Sequence, residues 1–185
     1  MDTLFARVTS IRGNTCGQVY FNKAGFFKFY PMKKKEDAHL TLLPLIKLAG
    51  IPQGLHFDRA PELIKGRFRS LLSRYRILQT TTEPYPPWQN QAEGQGVKKV
   101  KKLGFWLIQK YNAPMRVWDF AFELAACILS LTCVPHILFG EQTGYQIITN
   151  LKPDISQYIS FHFYSWVWYW DELSKQKSIG KWLKQ

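Results

Sequence analysis

Carboxylates are scarce in this chain: 13 Asp and Glu stand against 25 Lys and Arg, a formal net charge of +12 over 185 residues. Such a surplus excludes a basic partner and points to a polyanion, with nucleic acid first and an acidic membrane surface second. It says nothing about fold. Cysteine is thin as well. Cys16, Cys127 and Cys133 are odd in number, widely spaced and form no CxxC. That excludes a disulfide framework and a cysteine zinc site, and fits a reducing, intracellular setting. His39, His56, His136 and His162 have no metal-ligand spacing either. Long apolar runs are missing too. The most apolar stretch, LAACILSLTCVPHILF at 124–139, is too short to cross a bilayer and contains Pro135 and His136. It reads as buried helix followed by a turn, so no membrane is expected. The opening MDTLFARVTS has no basic segment ahead of a long apolar run, and no signal peptide is expected.

Apolar residues are plentiful: the hydrophobic content is 46%, with 13 Phe, 9 Tyr and 7 Trp. That excludes disorder throughout and suffices for the core of one domain, with or without an appendage. Alternation predicts strands at 2–9, 16–22 and 26–32, joined by the turns RGNT and NKAG. Helical spacing follows at 36–50, with Pro44 as a flaw, then a strand at 54–58, a helix at 62–75 and a strand at 76–82. Helices are expected at about 90–112 and 116–131. Three hairpin strands followed by alternating units predict an α/β fold, a mixed five-stranded sheet flanked by helices. Sites in such sheets collect at the carboxyl ends of parallel strands.

Three carboxylates occupy element ends of that kind. Asp2 opens the first strand, Asp58 closes the fourth, and Glu93 starts the helix after the fifth. The segment TEPYPPWQNQAEG at 82–94 delivers the last: its prolines forbid helix, and Gln89 and Asn90 can start one. Fifty-five residues separate Asp2 from Asp58, and 34 separate Asp58 from Glu93. Two aspartates on neighbouring strands and a glutamate from a helix can surround hard divalent cations. The spacing alone equally permits unrelated polar residues, Glu93 being a helix-start charge favoured by the dipole.

The local words are more specific. LHFDRAPEL at 55–63 followed by TEPYPPWQNQAEG resembles the second and third signature segments of the copia-type retrotransposon integrase core, within the retroviral integrase superfamily. DTLFARVTSIRGNTCGQVY and YPMKKK look like its first segment, and TGYQIITNLKPDISQYISF like the stretch after the core. The resemblance covers roughly residues 2–170. It implies an RNase H-like fold with strand order 3-2-1-4-5 and a metal-dependent polynucleotidyl transferase. Asp2, Asp58 and Glu93 match the acidic triad, holding two Mg²⁺ or Mn²⁺ ions, with DNA ends and target DNA as substrates. The family also implies a homo-oligomer and a nuclear location. The 34-residue gap is one short of the commonest retroviral spacing.

By the same resemblance, residues 1–113 form the catalytic core, 114–150 a helical extension and 151–185 an aromatic and basic segment, partly disordered. Family members carry more strand ahead of the first aspartate, so a truncated copy is expected. Gln89 and Asn90 are candidate contacts to DNA ends or else helix caps, while Lys98, Lys101 and Lys102 are a phosphate-tracking flank or else a solvated face. Lys33, Lys34 and Lys35 read as surface, and FHFYSWVWYW at 161–170 as an aromatic core strand more than a base-stacking platform. Two alternatives remain: a non-catalytic nucleic-acid-binding remnant, and an unrelated small basic structural protein.

Overall fold

The computed structural model describes residues 1–58, 60–81, 89–133, 141–167 and 183–184, of which 89–95, 157, 159 and 183–184 are described by backbone alone. β1 (Asp2–Phe5), β2 (Cys16–Phe21) and β3 (Phe27–Met32) pair antiparallel in the order β1-β2-β3. The period of two splits β2 cleanly. Val19 joins Leu4, Phe27 and Phe29 in one core, while Cys16 and Tyr20 join Met32 in another on the opposite face. Between β2 and β3 the Asn22 side-chain oxygen accepts from the Phe26 N–H at 3.0 Å, closing the expected turn.

The first strand stops at Phe5, short of the expected 2–9. Beyond it, tertiary contacts outbid the ladder. Val8 O accepts from the Trp118 indole at 2.8 Å, and the Ile11 N–H donates to Arg116 O at 2.9 Å. α1 (Ala38–Ala49) does contain Pro44, on its solvent side, where the unpaired Leu40 carbonyl can meet water. β4 (Gly54–Phe57) and β5 (Leu78–Thr81) are parallel. The helix expected at 62–75 is two pieces, α2 (Pro61–Ile64) and α3 (Gly66–Arg74), because Lys65 is extended at φ −128° and ψ 169°.

α4 (Gln89–Lys110) and α5 (Trp118–Leu131) cover the Val19 face. Trp118, Phe29 and Phe122 pack edge to face there, and burying each such ring stabilises the fold by about 1.5–3 kcal/mol. Ser130 pins α5 to β3, its hydroxyl donating to Phe27 O at 2.5 Å and accepting from Phe27 N at 2.6 Å. Gly96 lets α4 settle on the Phe21 ring, which a methyl at that position would strike. α1 and α3 cover the other face through Leu42, Leu45, Phe68 and Leu72.

All five expected strands are present, but they pair as a three-stranded antiparallel sheet and a separate two-stranded parallel one, not as one five-stranded sheet. The reason lies in the register. Met1 N donates to His56 O at 2.6 Å, the same pattern by which Leu78 N donates to Gln53 O while opposing Gly54. That places Met1 opposite Phe57, the last residue of β4. β1 starts where β4 ends, and the two form no ladder.

The C-terminal part carries α6 (Gly144–Thr149), α7 (Ser156–Ile159) and a short pair of strands, β6 (Trp166–Val167) with β7 (Leu183–Lys184). The aromatic strand expected at 161–170 is therefore a two-residue strand within the described residues, preceded by a turn in which Tyr164 takes φ +58°. Phe163 and Tyr164 pack on the core, whereas Phe161 and Trp166 are exposed. Positions 168–170 lie outside the described residues. Among the described residues no helix is long and apolar enough to cross a membrane. The three cysteines are free thiols.

Candidate active site

The register that separates the two sheets also builds the site. If Met1 opposes Phe57, the next pair is Asp2 and Asp58, side by side on one face of parallel neighbours. Asp2 lies on the face of Leu4 and Val19, to which it is paired, the face covered by α4. Electrostatics agree with the geometry. Burial is the largest influence on Asp2 and raises its pKa above the ordinary 3.8; the Thr3 N–H, donating at 2.7 Å, opposes this, and the Asp58 charge adds to the rise. Lys101 pulls the other way, which places its ammonium within electrostatic reach of Asp2. Asp2 is half-buried and Asp58 exposed, so the pair sits at an open rim.

α4 brings in the remaining candidates. Val97 and Val100 are buried on the core, Lys101 is half-buried, and Lys98 and Lys102 are exposed. Position 93 falls on the same helical line as Val97 and Val100, one and two turns earlier. The side chains of Glu93, Gln89 and Asn90 lie outside the described residues. The structure therefore brings Asp2, Asp58 and Lys101 together and puts positions 89, 90 and 93 in the first turns of α4. Among the described side chains no third His, Cys, Asp or Glu joins the pair. The Met32, Lys33, Asp37 and Leu40 cavity, about 480 Å³, is on the α1 side of the sheet and contains neither acid.

Sequence reasoning missed one buried charge. Asp119, fully buried at the start of α5, accepts from Arg12 Nε at 2.7 Å and Asn14 Nδ2 at 2.8 Å, while Arg12 also reaches Glu123 at 2.7 Å. Burial alone would raise its pKa, but hydrogen bonds from Asn14, Arg12 and Ser10 outweigh that and hold the carboxyl below its ordinary value. More than 100 residues separate the partners, so no local pattern announces them. The group clamps the β1–β2 loop onto α5, away from Asp2.

Two adjacent carboxylates that repel each other are oxygen ligands of the type hard divalent cations take. No protein-family model and no curated protein matches this chain. Solved structures do. The HTLV-2 integrase catalytic core domain in complex with magnesium, in its trimeric form, superposes with a TM-score of 0.57 at 20% identity, covering 80% of this chain and 93% of that one. The BIV integrase catalytic core domain gives 0.54 at 20%, with 80% and 93% covered. A chain of the simian T-cell lymphotropic virus intasome, solved in complex with the PP2A regulatory subunit B56 gamma, gives 0.63 at 19%. It covers 98% of this chain, which spans 65% of that one. This chain has the α/β fold of a retroviral integrase catalytic core.

Proposed function

We propose that the chain is an integrase-type polynucleotidyl transferase core that trims DNA 3′ ends and joins them to target DNA. The observation that supports this reading is the nearness of Asp2 to Asp58: Met1 N donates to His56 O at 2.6 Å, and the Asp58 charge acts on Asp2. Asp2 and Asp58 would hold Mg²⁺ or Mn²⁺, with Glu93 completing the acidic triad; two such ions polarise phosphoryl oxygens and stabilise charge on the attacking and leaving oxygens. In the joining step a DNA 3′ hydroxyl forms a bond to a target phosphorus, the target's own phosphorus–3′ oxygen bond breaks, and the proton passes from the attacking to the leaving oxygen. One ester replaces another, so no energy source is required.

The chain's own residues position this chemistry. The Thr3 N–H, donating at 2.7 Å, holds the Asp2 carboxylate in place. Lys98, Lys101 and Lys102 offer cations to phosphates approaching along α4, and Gln89 and Asn90 would contact DNA ends. The local words at 55–63 and 82–94 favour a copia-type retrotransposon origin and a nuclear substrate. The HTLV-2 core was solved in dimeric and trimeric forms, which favours self-association here too. Flanking reverse transcriptase and long terminal repeats in the genome would test the origin.

The activity test is a strand-transfer assay with Mg²⁺ or Mn²⁺, comparing the native chain with Asp58→Asn and Glu93→Gln. Joined product from the native chain alone is expected. Equal signal from all three would show contamination. DNA binding without product from any of them would favour the second reading, a non-catalytic remnant that keeps the fold and the charge.

A further inference from the structure

We propose that the outward face of α3 is a second contact surface for duplex DNA, reading phosphates and not bases, on the side of the molecule opposite α4. It goes beyond the acid pair and rests on the proposed function only in taking DNA as the polyanion. Residues 65–76 contain Lys65, Arg67, Arg69, Arg74 and Arg76 and no carboxylate, and all five cations are exposed. None of them forms an ion pair with a described carboxylate; the ion pairs among the described residues join Arg12 to Asp119 and Glu123, and Lys35 to Glu62. A helix that crowds like charges without local neutralisation is satisfied by an external polyanion.

The spacing suits a phosphate backbone. Arg67 and Arg74 are seven residues apart, two turns along one stripe, or about 10.5 Å of helix rise. One DNA strand presents a phosphate about every 3.4 Å of axis, so the stripe matches about three steps. Ser73 lies between the Arg67–Arg74 stripe and the Arg69 flank, exposed and able to donate to phosphate oxygens. A lipid surface is the weaker fit. The apolar side of α3, Phe68 and Leu72, is 1% and 2% exposed, turned into the core and away from the arginines.

Topology links this face to the acids without merging with them. Because β4 and β5 are parallel, α3 must return from the strand end next to Asp58 toward the start of β5. Its stripe therefore leads away from that rim, over the face where Phe68 and Leu72 are buried.

The experiment reads binding without chemistry, using the full chain with Asp58→Asn and a 30-base-pair duplex, by anisotropy across a salt series. Replacing Arg67, Arg69 and Arg74 by Gln should lower the slope of log K against log salt by about 2–3, for any duplex sequence. The same positions replaced by Lys should keep the slope. Arg, Gln and Lys all favour helix, and an unchanged melting curve confirms the fold. An unchanged slope in the Gln variant overturns the proposal. So does loss of binding to phosphatidylserine vesicles with the DNA slope intact, which would assign the face to a membrane. Failure of strand transfer by the native chain would leave this result standing, so the two readings fail separately.

Discussion

Replacing Asp58 by Asn tests the paired-acid geometry without any DNA. The register sets two carboxylates opposite each other on one face, and like charges so placed destabilise by about 0.2–1 kcal/mol. With divalent ions chelated at pH 7, Asp58→Asn should therefore stabilise the fold by about 0.5 kcal/mol, or roughly 1–2 °C in Tm for a chain of this length. The sign with pH follows from Asp2, whose folded pKa is raised first by burial and then by Asp58. Its ionisation costs stability as pH rises from the ordinary value of 3.8 through the folded value, and the variant should show less of that loss. Adding 10 mM Mg²⁺ reverses the ranking. For a weak oxygen site with Kd of about 1 mM, the native chain gains about 1.4 kcal/mol, roughly 3–6 °C, and the variant almost none. Differential scanning fluorimetry with and without EDTA reads both effects. A variant less stable than native in EDTA, or an equal Mg²⁺ shift in both proteins, would show that the two acids do not share a site.

Two further outcomes concern the scaffold. Asp119→Ala orphans Asn14 and half of the Arg12 ion pairing, and should cost about 2–3 kcal/mol in urea unfolding at pH 7. Because the folded pKa of Asp119 is depressed, its contribution is present above 3.8 and lost as pH falls through the folded value, so a deficit undiminished at low pH would refute the assignment. Gly104→Ala drives a methyl into the Phe122 ring, where overpacking of about 1–3 kcal/mol exceeds the helix gain of about 1 kcal/mol. A net loss of about 1 kcal/mol, reduced when Phe122 is shortened to Leu, is expected in the same unfolding assay; a gain would mean α4 and α5 are not in close contact there.

Most element positions were legible from residue order. Periods of two and of 3.6, with turn residues at 12–15 and 22–25, locate β1 to β5 and the long helices to within a few positions. What escaped were features decided at a distance. The early end of β1 follows from Trp118 and Arg116 capturing the segment after it. The break at Lys65 is a backbone choice that shows in residue order only as the five-residue step from Leu63 to Phe68. Gly96, costly in a helix by propensity alone, is explained by the Phe21 ring beneath it. The basic run at 65–76 was in plain view but reads as ordinary surface until Phe68 and Leu72 are known to be buried.

The candidate site divides in the same way. Residue order by itself determined that acids stand at strand ends and at the entrance to a basic helix, because element type depends on local periodicity and turn chemistry. Only the tertiary structure decided that Asp2 meets Asp58, since strand register is set by pairing between segments more than 50 residues apart, and a slip of one residue would put the two on opposite faces.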